Sequence, residues 1–170
     1  MSILTILKEP DTFLRKKSLR VKEVNKEIKK LMKDMLDTMY AAPGIGLAAA
    51  QVGILKRVVV IDLSKESTER KPIFFVNPVI IWKSKILVTK EEGCLSIPDH
   101  FAEIKRPDAC HVKYLNQNGK EKILKADGLL ATCIQHEIDH CNGILFLDYL
   151  SKLKKAFITR KLIKAKKNQE

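Results

Sequence analysis

What this chain has little of narrows its reading first. Aromatic residues make up only 6% of it, with a single Trp. Neither an RNP-like aromatic segment nor a helix-turn-helix signature occurs, which argues against a dedicated nucleic-acid-binding module despite a net charge of +12. No apolar run reaches the roughly 18 residues needed to cross a bilayer, so no membrane span is expected. The opening stretch has no basic lead-in and no small-residue cleavage site before Lys8, Glu9 and Pro10, so no signal peptide is expected. The four cysteines, Cys94, Cys110, Cys133 and Cys141, form no CxxC pair. Free thiols in a reducing cytoplasm are the expectation, not a disulfide framework. Repeats, linkers and low-complexity tracts are missing as well, so residues 1–170 read as one domain.

Charge is lopsided: 32 basic residues stand against 20 acidic ones. Lys far outnumbers Arg, and over most of the chain the excess reads as a solvated surface. The end is different. From Ser151 to Glu170 the bases Lys152, Lys154, Lys155, Arg160, Lys161, Lys164, Lys166 and Lys167 face one acid, Glu170. Such a local block suits a polyanionic partner.

Periodicity gives an α+β reading. Asn25–Tyr40 is an amphipathic helix, with Asn25 as N-cap and Ile28, Leu31, Met32, Met35, Leu36 and Met39 as its core face. Arg57–Asp62 reads as a buried strand, and Ile73–Val76 and Val79–Trp82 as two strands flanking Asn77-Pro78. Lys85–Lys90 follows as a partly alternating strand. Cys110–Leu115 and Lys120–Ala126 flank a hairpin turn at Asn116-Gln117-Asn118-Gly119. Asp127 is placed to cap a helix running to about Asn142, with Gly143 as its terminator. That helix is apolar on most sides, which predicts a central, buried position. A last helix, Leu150–Lys167, carries the stripe Leu150, Leu153, Phe157, Ile158 and Leu162.

The central helix contains His136-Glu137-Ile138-Asp139-His140. Two histidines four apart share a helix face and can reach one metal ion. Glu137 lies beside that face, where it can move protons for a hydrolytic water. Polar side chains in a buried helix need partners, and a metal would satisfy the histidines. A hydrolytic site takes three protein ligands and keeps a position for water. Downstream of His140 the only carboxylates are Asp148 and Glu170, and Asp148 would have to fold back. Cys94, in Glu91-Glu92-Gly93-Cys94-Leu95-Ser96, is the better third ligand, since thiolate binds borderline and soft ions well.

Three segments together resemble the signature motifs of the peptide deformylases: Gly44-Ile45-Gly46-Leu47-Ala48-Ala49-Ala50-Gln51, Glu92-Gly93-Cys94-Leu95-Ser96 and Gln135-His136-Glu137-Ile138-Asp139-His140. Their order and spacing match, and the resemblance covers the chain. It looks like the bacterial type with a helical C-terminus. The resemblance implies antiparallel β-sheets packed around a central HExxH helix, with a basic C-terminal helix over about 150–170. It implies removal of the N-formyl group from the initiator methionine of nascent proteins. Cys94, His136 and His140 would hold one divalent ion, usually Fe2+, with Zn2+, Ni2+ or Co2+ as substitutes. Glu137 would be the acid–base residue. The Gln51 amide and the Leu95 backbone N–H would stabilise the oxyanion. The peptide would lie as an added strand along Gly44, Ile45 and Gly46, where glycine permits close approach. Its methionine would enter a pocket of Leu129, Thr132 and Cys133, with Ile45 opposite. Phe101 stands where some relatives carry a basic residue. An ion pair between Glu92 and Arg106 would steady the Cys94 loop. Nascent formylmethionyl chains are the expected partners, and the ribosome through the tail. A cytoplasmic monomer is expected. The competing reading, an HExxH zinc endopeptidase, requires a downstream third ligand and gives Cys94 no role.

Overall fold

The computed structural model describes residues 2–64 and 69–169. Asn25 opens the first long helix, α1 (Lys26–Ala41), where its side-chain oxygen accepts from the Ile28 N–H at 3.0 Å. Ile28, Leu31, Met32, Met35 and Met39 form its buried face, so the methionines serve packing.

Seven strands follow: β1 (Gly46–Ala48), β2 (Val58–Ile61), β3 (Ile73–Lys83), β4 (Leu87–Cys94), β5 (Ile97–Pro107), β6 (Ala109–Leu115) and β7 (Glu121–Asp127). An antiparallel sheet runs β1-β2-β3-β6-β7, and β4 and β5 form a separate two-stranded ribbon. The central helix, α2 (Gly128–Cys141), packs on one face of the five-stranded sheet and α1 on the other. This explains the uninterrupted apolar run of β2. Val59 and Ile61 join the core under α2, while Val58 and Val60 join the core under α1.

Three local expectations are corrected, and one strand went unread. Asn77-Pro78 does not separate two strands but sits within β3, at a break in its register with β6. Asn77 takes φ +52° there, and its amide bonds the Val21 N–H and C=O at 2.8 Å each. β5 went unread, because Pro98, Asp99, His100 and Glu103 hide a ladder whose buried positions are only Ile97, Ile104 and Arg106. Asp127 occupies the N-cap position of α2, yet its side chain accepts no capping bond. The tail stripe is narrower than the periodicity suggests. In α3 (Lys152–Gln169), Ile158 and Leu162 are buried, but Leu153 and Phe157 are 78% and 55% exposed. Glu170 lies outside the described residues.

Ile158 and Leu162 pack with Leu14, Ile97, Ile104, Leu145, Phe146 and Leu147 in a third apolar cluster, which ties the tail to β5. Gly143 ends α2 at φ +74°, where a Cβ would come within 2.3 Å of the Arg15 carbonyl oxygen, so only glycine fits. Among the described residues, no helix is long and apolar enough to cross a membrane.

Candidate metal centre and active site

The HExxH segment lies in the last two turns of α2; its His136, Glu137 and His140, and Gln135 just before it, are all buried. The end of β4 brings Cys94 against them. The Cys94 Sγ lies 3.3 Å from His140 Nε2, and His140 Nε2 lies 3.3 Å from His136 Nε2. The three donor atoms all fall within 4.8 Å of one another. Tetrahedral bonds of about 2.0–2.3 Å imply donor–donor edges of roughly 3.3–3.6 Å, so the spacing and the S/N/N donor set fit a divalent ion.

The histidines are oriented from behind. His136 Nδ1 sits 2.9 Å from Glu92 Oε1, which leaves Nε2 facing the candidate metal position beside His140. Arg106 grips Glu92 through Nε at 2.7 Å and Nη2 at 3.0 Å, as the resemblance implied. Burial alone would raise the Glu92 carboxyl, but the bonds from His136 and Arg106 outweigh it and hold it below its ordinary value. Burial lowers His140 well below its ordinary value, which favours the neutral imidazole that metal binding requires.

Glu137 is buried, and its Oε2 has no hydrogen-bond partner among the described residues. Desolvation pushes its carboxyl up to about 7. Gly46 faces it so closely that a Cβ there would stand 2.7 Å from Glu137 Oε1. Gln51 lies in a 3-10 turn, Ala49–Val52, and is buried rather than a surface amide. Its Oε1 accepts from the Ala48 N–H at 2.9 Å, and its Nε2 donates to Ser96 Oγ at 3.1 Å and reaches Cys94 Sγ at 3.5 Å.

A cavity of about 440 Å3 opens beside these groups. Gly44, Ile45, Gly46, Gln51, Leu95, Leu129, Thr132 and Cys133 all line it, together with Cys94, His136 and Glu137. Burial pushes the Cys133 thiol up to about 12, so it is an unreactive apolar wall. Phe101 is 65% exposed on the rim and covers Gly93, where a Cβ would clash with its ring at 2.6 Å. Asp148 stays away. It accepts from Arg15 and Lys155 and from the Leu145 N–H, so it supplies no downstream ligand.

Sequence reasoning missed Ser96, which anchors Gln51, the buried wall residue Ile97 and the lining residue His100. It also missed Tyr149 as a partner of Asp139 at 2.7 Å. Only the position of Asp139 inside the pentapeptide hinted at the last.

Comparison with known proteins agrees with this geometry. The polypeptide deformylase family matches residues 3–156. This chain belongs to that family. A peptide deformylase of Pelagibacter ubique is 59% identical over 169 residues, covering 99% of this chain and 98% of the relative. One from Rhizobium meliloti is 50% identical, covering 99% and 97%. The crystal structure of the Ehrlichia chaffeensis peptide deformylase superposes with a TM-score of 0.94 at 43% identity, covering 99% of both chains. A structure from that organism in complex with actinonin gives 0.93 at 46% identity, covering 97% of this chain and 98% of that one. The antiparallel sheets, central helix and C-terminal helix are thus the family's architecture, and the endopeptidase reading is not favoured.

Proposed function

We propose that this chain hydrolyses the formamide at the N-terminus of newly made formylmethionyl polypeptides, giving formate and a free amine. The observation that carries the reading is a convergent sulfur–nitrogen–nitrogen donor set beside a buried carboxylate whose Oε2 has no partner among the described residues, with Cys94, His136 and Glu137 lining one cavity. Cys94, His136 and His140 would hold the divalent ion. Bound there, it would act as a Lewis acid, polarising the formyl oxygen and lowering the pKa of water from 15.7 towards about 7.

The remaining work falls to the protein. Glu137 takes the water proton on its free oxygen and returns it to the departing amine, a task suited to a carboxyl raised by burial. The Gln51 amide and the Leu95 N–H donate to the oxyanion. β1 is an edge strand, so its outer backbone groups are open to an added peptide strand. Main-chain pairing reads no side chain, which suits a substrate class with a common first residue and varied successors. The methionine side chain enters the cavity past Ile45 and Leu129, against Cys133.

Fe2+ is the proposed native ion, on the resemblance to the family, while the mixed thiolate–imidazole set also accepts Zn2+, Ni2+ or Co2+. The proposed setting is a monomer in the cytoplasm, with α3 docking on the ribosome. The tail supports this with its lysines and the exposed Leu153 and Phe157.

The test is formate release from a formyl-Met tripeptide, its acetyl-Met counterpart and an unblocked protein. Turnover of the formyl peptide alone is expected. Cleavage of internal peptide bonds would restore the endopeptidase reading.

A further inference from the structure

Tyr149 lies outside all three motifs and outside the cavity lining. It closes a short 3-10 helix, Phe146–Tyr149, just before α3. Its hydroxyl donates to Asp139 Oδ2 at 2.7 Å, and that same oxygen accepts from Arg106 Nη1 at 2.9 Å. The Arg106 guanidinium lies 4.8 Å from the centre of the Tyr149 ring. Arg106 is therefore held on one side by Glu92 and on the other by Asp139, with the Tyr149 ring beneath it.

We propose that Tyr149 is a positioning residue for His136, acting through Asp139, Arg106 and Glu92. From the tyrosine hydroxyl to His136 Nδ1 the links measure 2.7, 2.9, 2.7 and 2.9 Å. A guanidinium is planar and rigid, so its grip on Asp139 fixes the direction in which its other edge meets Glu92. Glu92 in turn fixes the ring of His136 and the nitrogen that carries its proton. Without the tyrosine hydroxyl, Asp139 Oδ2 keeps, among the described residues, Arg106 alone as partner, and the fork loses one of its constraints. Burial and the neighbouring Asp139 push the Tyr149 hydroxyl up to about 12, so it remains a donor throughout the neutral range.

The inference rests on the assignment of Cys94, His136 and His140 as metal ligands. Cobalt(II) is the probe, because its visible spectrum reports ligand geometry. Wild type, Tyr149→Phe, Asp139→Asn and the double variant are loaded with Co2+, and affinity is measured by chelator competition. All are compared well below their melting midpoints, so loss of fold does not enter. Tyr149→Phe is expected to weaken Co2+ binding by about 3- to 10-fold and to shift the ligand-field bands, less than the 10- to 100-fold typical of a ligand's direct partner. In the Asp139→Asn background the same change is expected to add nothing, because the relay is already cut. A purely packing role would lower the melting temperature, leave affinity and spectrum unchanged, and be additive. Either unchanged spectra or additivity overturns the proposal. Cys94→Ala binding Co2+ as tightly as wild type would instead defeat the ligand assignment, and the relay with it.

Discussion

Glu137 draws its proposed chemistry from where the fold keeps it. Its neighbour Ile138 packs in the core beneath α2, while Glu137 itself faces the cavity across from Gly46. Glu137→Gln preserves shape, but the amide cannot accept and return a proton near neutral pH. Metal content is expected to stay near wild type while turnover falls by about 100- to 10,000-fold, the usual worth of a positioned acid–base group. Formate release by a metal-replete variant at more than a tenth of the wild-type rate would remove Glu137 from that role. Gly46 gives a subtler test. A methyl group there meets Glu137 Oε1 at 2.7 Å and Cδ at 3.1 Å, so the carboxylate must leave its position to admit it. Gly46→Ala is expected to lower kcat at least 10-fold with bound metal unchanged. Equal kcat values would show that the carboxylate moves freely. Of these two residues only Glu137 was readable from local spacing. Gly46 acquires its meaning from β1 passing against α2, a contact that spans some ninety residues of sequence.

The elements show which patterns carry information. α1 and α2 were legible because their burial is periodic or nearly total. β5 was not, since a ribbon outside the main sheet buries few of its side chains and shows no alternation of apolar residues. The short 3-10 helix before α3 was also hidden, being only four residues long. Its Asp148 nevertheless fastens the root of the tail, accepting from Arg15 at 2.7 Å, Lys155 at 2.9 Å and the Leu145 N–H at 3.1 Å. Burial would raise the Asp148 carboxyl, but these bonds outweigh it and hold it below its ordinary 3.8. A depressed folded value means the stabilisation is complete above about 3.8 and is lost as pH falls through the folded value. Asp148→Asn is therefore expected to cost about 1 kcal/mol near pH 7, the scale of partly exposed ion pairs. The gap should close in the acid range. Denaturant titrations of both proteins at pH 7 and pH 3 check this, and an equal gap at both would remove the charge from the explanation.

At the scale of the whole molecule, the clustering of Cys94 with His136 and His140 was legible because Cys94 offered a better donor than anything downstream of His140. How the tail joins the rest was not, because helical spacing cannot say which of two apolar rows meets a neighbour. The structure buries Ile158 and Leu162 and leaves Leu153 and Phe157 in solvent, with the Lys161 ammonium 4.6 Å from the centre of the Phe157 ring. That settles how ribosome docking must be tested. Deleting residues 158–170 would strip two large side chains from the third apolar cluster, at roughly 2–5 kcal/mol each. Against a total stability of about 5–15 kcal/mol, such a loss confounds docking with unfolding. Charge reversal avoids it. Lys161, Lys164, Lys166 and Lys167 are exposed, and none forms an ion pair among the described residues. Replacing all four with Glu is expected to leave the melting temperature and the turnover of short formyl-Met peptides near wild type. It is expected to abolish co-sedimentation with 70S ribosomes at low salt. Wild-type binding should itself weaken steeply between about 50 and 200 mM salt, because contacts with RNA phosphates release counterions. A reversed-charge tail that co-sediments as well as wild type at 50 mM salt would mean that another surface does the docking.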